Sequence, residues 1–295
     1  MASVAEHQAM RHAIALSAHG LGTTSPNPPV GCVILSSDGR PIAEGYHARK
    51  GEAHAEGNAL RAAGEAARGG TAAVTLEPCN HVGLAPACRQ LLIDAGIARV
   101  VIAVIDPTSR GEGGAAALRA AGISVETDVL AKEALLVLGA WRTALAASRP
   151  RLIWSYAIGP EGITGALPLT SAAYELRGSV DAVLHNGHLE EGVPGGHNPG
   201  MMTLPAERVD LTRPGSLGEL YAAGVRSVLV DGSAPLAAHL LADGLLDEVV
   251  IYHQDSGPSA AFREGGALML PPGFRLVEVG RAGRWVRMRG QRIFS

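Results

Sequence analysis

The sequence holds only three cysteines in 295 residues, too few for a disulfide framework, and so points to a reducing cytoplasm. Charge is also sparse: 18% of residues, with a net charge of -3. A protein that binds polyanions carries a basic stripe, and without one nucleic acid is excluded as a partner. No apolar run is long enough to span a bilayer, and Met1 to Gly20 lacks the apolar centre of a secretory signal, so no membrane partner is expected. What is present is a globular composition, 47% hydrophobic, in a chain long enough for two domains of ordinary size.

The residues that carry chemistry are His54-Ala55-Glu56, Pro78-Cys79 and Cys88. A catalytic zinc takes three protein ligands and leaves its fourth position to water. His54, Cys79 and Cys88 meet that count, and Glu56 is left over as a proton carrier. In the zinc deaminases such a set activates water toward an amidine-like carbon, and the Glu passes protons to the leaving ammonia. The chain then reads as a hydrolytic deaminase of a small nitrogen heterocycle. Two other readings of the same residues stay open. The cysteines could be two buried thiols, or His81 could close a structural zinc site as fourth ligand. Spacing favours the catalytic zinc but does not exclude them, because eight residues separate Cys79 from Cys88 where the common deaminase pattern has two.

Periodicity predicts a helix over His7–His19, a buried strand over Val30–Leu35 holding Cys32 as a small core residue, and a turn at Ser37-Asp38-Gly39 into Pro41–Gly45. A helix follows over Ala53–Ala67, with His54 and Glu56 in its first turn, then a strand over Ala72–Leu76. A helix over Cys88–Ala95, a strand over Val100–Val104, a helix over Ala115–Ala121 and a strand over Ile123–Thr127 complete this part. The alternation argues for a layered α/β sheet. Ala146 to Pro150 reads as a seam, dividing domains 1–147 and 148–295. Beyond it strands are predicted over Arg151–Ala157, Val180–His185, Val225–Val230 and Leu246–Tyr252. Helices are predicted over Ala172–Arg177 and Leu236–Asp243, and Gly192–Gly200 must be a loop. His185, His188 and His197 lack the spacing of a metal site and are expected in solvent.

Several stretches share one further likeness: Ser25-Pro26-Asn27-Pro28-Pro29-Val30-Gly31-Cys32, Gly45-Tyr46-His47, Gly51-Glu52-Ala53-His54-Ala55-Glu56, and Thr75-Leu76-Glu77-Pro78-Cys79 running on to Ala85-Pro86-Ala87-Cys88. In order and spacing, over about residues 7–147, they resemble the deaminase half of the bifunctional riboflavin-biosynthesis deaminase/reductase family, in which the long gap between the cysteines is normal. The resemblance implies a cytidine-deaminase-like three-layer α/β/α domain followed by a dihydrofolate-reductase-like α/β domain. It implies zinc on His54, Cys79 and Cys88, Glu56 as catalytic proton carrier, substrate contacts from Asn27 and His47, a supporting role for Glu77, and a homodimer or higher homo-oligomer. The substrate it implies is the ribosylated diaminopyrimidinone phosphate.

The chain departs from that family in both halves. Leu84 stands where a basic residue normally helps hold the substrate, removing a charge-assisted bond typically worth about 1.5–3 kcal/mol. The segment Asp106-Pro107-Thr108-Ser109-Arg110 is altered too. In the second half, Leu176–Leu184 and Val230-Asp231-Gly232-Ser233 resemble the NADPH-dependent reductase. There the expected lysine and its following turn are replaced by Trp154-Ser155 and Gly159-Pro160-Glu161-Gly162. A substrate-binding segment gives way to Gly187–Pro194, and a Gly-Gly pair becomes Asp231-Gly232, which would set a negative charge near phosphates. These losses count against NADPH as a cofactor, leave no cofactor-binding residues to name, and predict a retained scaffold. Rival readings are a deaminase recruited to another amino-heterocycle, a fully bifunctional enzyme, and a non-enzymatic zinc scaffold.

Overall fold

The computed structural model describes residues 1–80, 86–109, 113–159, 162–163, 170–254 and 270–293. They divide into two compact units: Met1–Gly139 with His197–Met201, and Ala140–Gly196 with Met202–Ser295. His81, Leu84, Arg110 and the Pro160-Glu161 turn lie outside the described residues.

The first unit runs α1 (Val4–Ser17), β1 (Gly31–Leu35), β2 (Pro41–Tyr46), α2 (Ala55–Ala63), β3 (Thr71–Leu76), α3 (Cys88–Asp94), β4 (Arg99–Val104), α4 (Gly113–Ala120) and β5 (Ser124–Glu126). Its sheet has the order β2-β1-β3-β4-β5. Strand β1 is antiparallel to both its neighbours, while β3, β4 and β5 are parallel. The central strands are continuous apolar runs buried along almost their whole length, as strands covered on both faces must be. Helix α1 starts at a capping box, in which Ser3 Oγ accepts from Glu6 N–H and Glu6 Oε2 accepts from Ser3 N–H. The other oxygen of Glu6 takes Arg99 Nε at 2.6 Å, and Arg99 Nη2 reaches Glu126, so one guanidinium ties α1 to β4 and β5.

Helix α5 (Ala131–Ala147) spans the division between the units. Its sequence is apolar on most sides, so no amphipathic stripe announced it, and the expected strand–helix series had stopped at Thr127.

The second unit continues with β6 (Arg151–Gly159), β7 (Gly162–Ile163), α6 (Ser171–Gly178), β8 (Ala182–His185), β9 (His188–Glu191), α7 (Ser216–Ala222), β10 (Ser227–Asp231), α8 (Ala234–Ala242), β11 (Glu248–Gln254), β12 (Phe274–Ala282) and β13 (Trp285–Arg292). The sheet order is β12-β13-β11-β6-β10-β8-β9, with β7 on β6. Strands β11, β6, β10 and β8 are parallel, and antiparallel ribbons flank them. The β9 strand, α7 and the β12–β13 ribbon were not expected from the sequence. His197 is buried rather than solvated; it lies in the segment that joins the first unit.

The reductase-like positions of β6 are filled by satisfied neutral groups. Ser155 is fully buried and donates to Val250 O, while the Trp154 indole donates to Gly232 O and stacks on Tyr156 at a centroid distance of 4.1 Å. After β10 the backbone is left-handed at Gly232 (φ 72°) and also at Ser233 (φ 30°). The turn that favours paired glycines therefore sits at 232–233, one residue later than the sequence suggested, and a serine holds its second position.

Candidate active site

The metal-ligand candidates come from three places in the first unit. His54 is the residue before α2, with extended backbone (φ -70°, ψ 167°) and no capping bond from its side chain, so the ring is left to other partners. Cys79 follows β3, and Cys88 opens α3. Their ligand atoms all lie within 4.8 Å of one another, with His54 Nδ1 and Cys88 Sγ 3.4 Å apart. Donor atoms around a tetrahedral zinc stand roughly 3.5–4 Å apart, given its bond lengths to sulfur and nitrogen. An imidazole and two thiols at this spacing fit zinc without rearranging the chain.

One of the two sulfurs is already prepared for a cation. Cys79 is pulled down to about 4, first by the Cys88 thiol donating to it; burial works against this, and His54 adds to it. The backbone N–H of Cys88, at the start of α3, also donates to Cys79 Sγ at 3.2 Å, as helix starts do for thiolates. The Cys88 thiol is pushed up, chiefly by its neighbour Cys79 and by burial. The His54 imidazole is raised above its ordinary value, mainly by its bond to Cys79.

Glu56 lies in the first turn of α2 and is only 3% exposed. Burial raises its carboxyl above the usual range, while His54 pulls the other way. A carboxyl poised higher than usual, beside a metal-ligand set, is suited to taking and returning a proton.

Asn27 lines the cavity and His47 does not. His47 is 2% exposed, and its Nδ1 is 3.2 Å from Ala53 O, which can only accept, so this nitrogen carries the proton. Burial pushes the ring down to about 4, leaving it neutral near pH 7. Its Nε2 therefore accepts from Asn27 Nδ2 at 3.3 Å and leaves the amide oxygen of Asn27 turned away from the ring. The loop that carries His47 is held from α2, because Asn58 Nδ2 donates to Tyr46 O and Ala53 O.

Glu77 is buried and ties the end of β3 to the turn after β4 and to the start of α4. Its Oε1 accepts from Ala115 N–H at 2.8 Å, and its Oε2 accepts from Asp106 N–H at 3.2 Å. Gly113 has a left-handed backbone (φ 86°), and a Cβ there would stand 2.5 Å from Glu77 Oε1, so the start of α4 needs glycine. The altered segment Asp106-Pro107-Thr108 is a turn, with Asp106 Oδ1 accepting from Thr108 N–H and Oγ1–H.

Asn27 and the three ligand candidates line a cavity of ≈ 760 Å³; Glu56, His47 and Glu77 are not part of its wall. Besides Asn27, His54, Cys79 and Cys88 its wall includes Lys50, Arg61 and Met201, which the sequence reading missed. Asn198 Nδ2 donates to Lys50 O at 2.9 Å, and no local pattern could announce a contact 148 residues away.

Residues 3–104 match the family described as the cytidine and deoxycytidylate deaminase zinc-binding region, and residues 193–254 match the RibD C-terminal domain. A riboflavin biosynthesis protein RibD of Corynebacterium ammoniagenes is 34% identical over 284 residues, covering 83% of this chain and 84% of that protein. A diaminohydroxyphosphoribosylamino-pyrimidine deaminase of Buchnera aphidicola is 53% identical over 125 residues, 42% of this chain and 84% of that one. The match to RibD of Escherichia coli, at 52% identity, spans only 34% of that protein. Among solved structures, a diaminohydroxyphosphoribosylaminopyrimidine deaminase/5-amino-6-(5-phosphoribosylamino)uracil reductase from Thermotoga maritima superposes with a TM-score of 0.77 at 26% identity. That match covers 98% of this chain and 99% of the other. Likeness sustained through both units, with a zinc-binding deaminase region in the first, makes this chain a member of the RibD family of riboflavin biosynthesis.

Proposed function

We propose that the chain hydrolyses the amino group of the phosphoribosylated diaminopyrimidinone named in its relatives, with His54, Cys79 and Cys88 as metal ligands and Glu56 as proton carrier. The observation that carries this is the buried carboxyl of Glu56 against Cys88, next to three ligand atoms that lie within 4.8 Å of one another and whose residues line one cavity. Zinc, when bound there, lowers the pKa of a water molecule toward neutrality. Glu56 takes the proton that water gives up as its oxygen joins the amino-bearing ring carbon. It then returns that proton to the amino nitrogen, the C–N bond breaks and ammonia leaves, while the remaining hydroxyl proton passes to the ring nitrogen as the carbonyl forms. Asn27, held by His47, offers its amide oxygen to a donor on the pyrimidine edge.

The second unit serves as a scaffold in this reading. Support comes from Trp154 and Ser155, whose polar groups are spent on backbone carbonyls, and from a serine in the left-handed turn after β10. The free, unpaired state of its three cysteines suits a cytoplasmic enzyme, and no helix among the described residues is long and apolar enough to cross a membrane. A homodimer is the expected assembly, to be checked by light scattering.

Ammonia release from the phosphorylated substrate by zinc-loaded protein, compared with Glu56→Ala, tests the function. Release that survives the substitution, or a wild-type protein that releases nothing, would overturn it. A fluorescence titration with NADPH tests the scaffold reading, which tight binding would sink.

A further inference from the structure

The relatives named for a phosphoribosyl substrate must meet a phosphate somewhere, and the stretch between the two cysteines of this chain, Asn80 to Ala87, contains neither lysine nor arginine. Among the described residues that line the cavity, the cations are Lys50 and Arg61. They are not equivalent. Arg61 is exposed, seven residues along α2 from His54, and its Nη1 donates to Asn58 Oδ1 at 3.1 Å.

Lys50 lies four residues before His54 on the loop that leads into α2. It is half-buried, and its ammonium has no ion pair or hydrogen bond with any described residue. An ammonium with no protein partner is available to an incoming anion, and a charge-assisted bond to phosphate is among the stronger hydrogen bonds. The backbone on the carbonyl side of Lys50 is held in place. Asn198 donates to Lys50 O, and Gly51 turns the chain with a left-handed backbone (φ 93°) against Asn198 and Met201. The Glu52 carboxylate also borders the cavity, but it is exposed and does not pair with Lys50.

We propose that Lys50 binds the phosphate on the ribosyl arm of the substrate and sets the preference for phosphorylated over dephosphorylated pyrimidine. The proposal rests on the deaminase reading above. Lys50 would contribute equally to ground-state and transition-state binding, since the phosphate lies away from the reacting carbon.

The test compares wild type, Lys50→Ala, Lys50→Arg and Arg61→Ala, all zinc-loaded, on the phosphorylated and dephosphorylated substrates, with ribose 5-phosphate binding measured by calorimetry. Lys50→Ala is expected to raise KM for the phosphorylated substrate at least about tenfold, with kcat within about twofold and no change on the dephosphorylated form. Lys50→Arg should keep most of the preference, and ribose 5-phosphate binding should vanish in Lys50→Ala. An unchanged ratio of the two KM values, or a selective rise in Arg61→Ala in place of Lys50→Ala, would overturn the assignment while leaving the deaminase intact. If neither substrate turns over but Lys50→Ala still loses ribose 5-phosphate, the anion subsite stands and the deaminase reading falls.

Discussion

Asn27 and His47 form a pair in which a neutral, proton-accepting imidazole fixes the face of an amide: His47 Nε2 takes Asn27 Nδ2–H at 3.3 Å, because its Nδ1–H is committed to Ala53 O. Only Asn27 lines the cavity, so His47 acts through it. Each of Asn27→Ala and His47→Ala should lower kcat/KM by about 10- to 100-fold, given the 1–3 kcal/mol scale of a lost buried bond. The double variant should be no worse than the poorer single, because residues in one network do not add. Fully additive losses in the kinetic cycle would mean that His47 contributes on its own account.

Metal removal should separate ligands from the proton carrier. Dialysis against a strong chelator is expected to abolish ammonia release and lower the Tm, and zinc should restore both, since a ligand that binds only the folded state stabilises it. Cys79→Ala and Cys88→Ala should retain less than one zinc per chain by elemental analysis. Glu56→Gln should keep its zinc and lose about 10²–10⁴ in kcat. A Glu56→Gln protein without zinc would place that carboxylate among the ligands.

The Arg99 network makes stability depend on acid. Burial pushes Glu6 up, but Arg99 and Ser3 outweigh it and hold the carboxyl below its ordinary value, and Glu126 is held down by Arg99 first. Both carboxyls are depressed in the folded chain. The unfolded chain therefore binds more protons below about pH 4.5, and the stabilisation present above that pH is lost as it falls. Urea midpoints at about pH 6 and about pH 3.5 should show this loss, with a smaller difference in Arg99→Ala. Equal differences in the two proteins would remove the network as the cause.

Glu77 should matter for stability before catalysis. Glu77→Ala strands the N–H groups of Asp106 and Ala115, a cost of about 2–4 kcal/mol in the denaturation midpoint. Gly113→Ala should cost about 1–3 kcal/mol through its left-handed backbone and its crowding of the same carboxylate. A Glu77→Ala protein as stable as wild type, yet zinc-free, would instead tie Glu77 directly to the metal.

That His54, Cys79 and Cys88 stand close enough to share a metal was legible in the sequence, because zinc chemistry restricts both the residue types and their count. The role of Glu56 as proton carrier belongs to the proposed function. The first sheet was legible for a related reason: buried parallel strands such as Arg99–Val104 are continuous apolar runs between turn residues. Helix α5 was missed because it is apolar on most sides, and a helix without a polar face shows no period. The ribbon β12–β13 escaped because its exposed strand mixes Leu276, Val277 and Val279 with charges and keeps no clean alternation. Lys50 and Met201 were invisible as site residues. Nothing local marks a lysine as facing a cavity, or a methionine 147 residues after His54 as part of its wall.

That wall has a consequence for how the chain can be divided. A polypeptide ending at residue 147 would keep every metal ligand and Glu56, yet it would lose Asn198 from beneath Lys50 and Met201 from the cavity. The shortest segment that encloses the whole site runs to Met201, through β6, α6, β8 and β9. A deaminase built on this cavity therefore draws on residues 198–201, deep in the second half of the sequence, whether or not that half carries a reaction of its own.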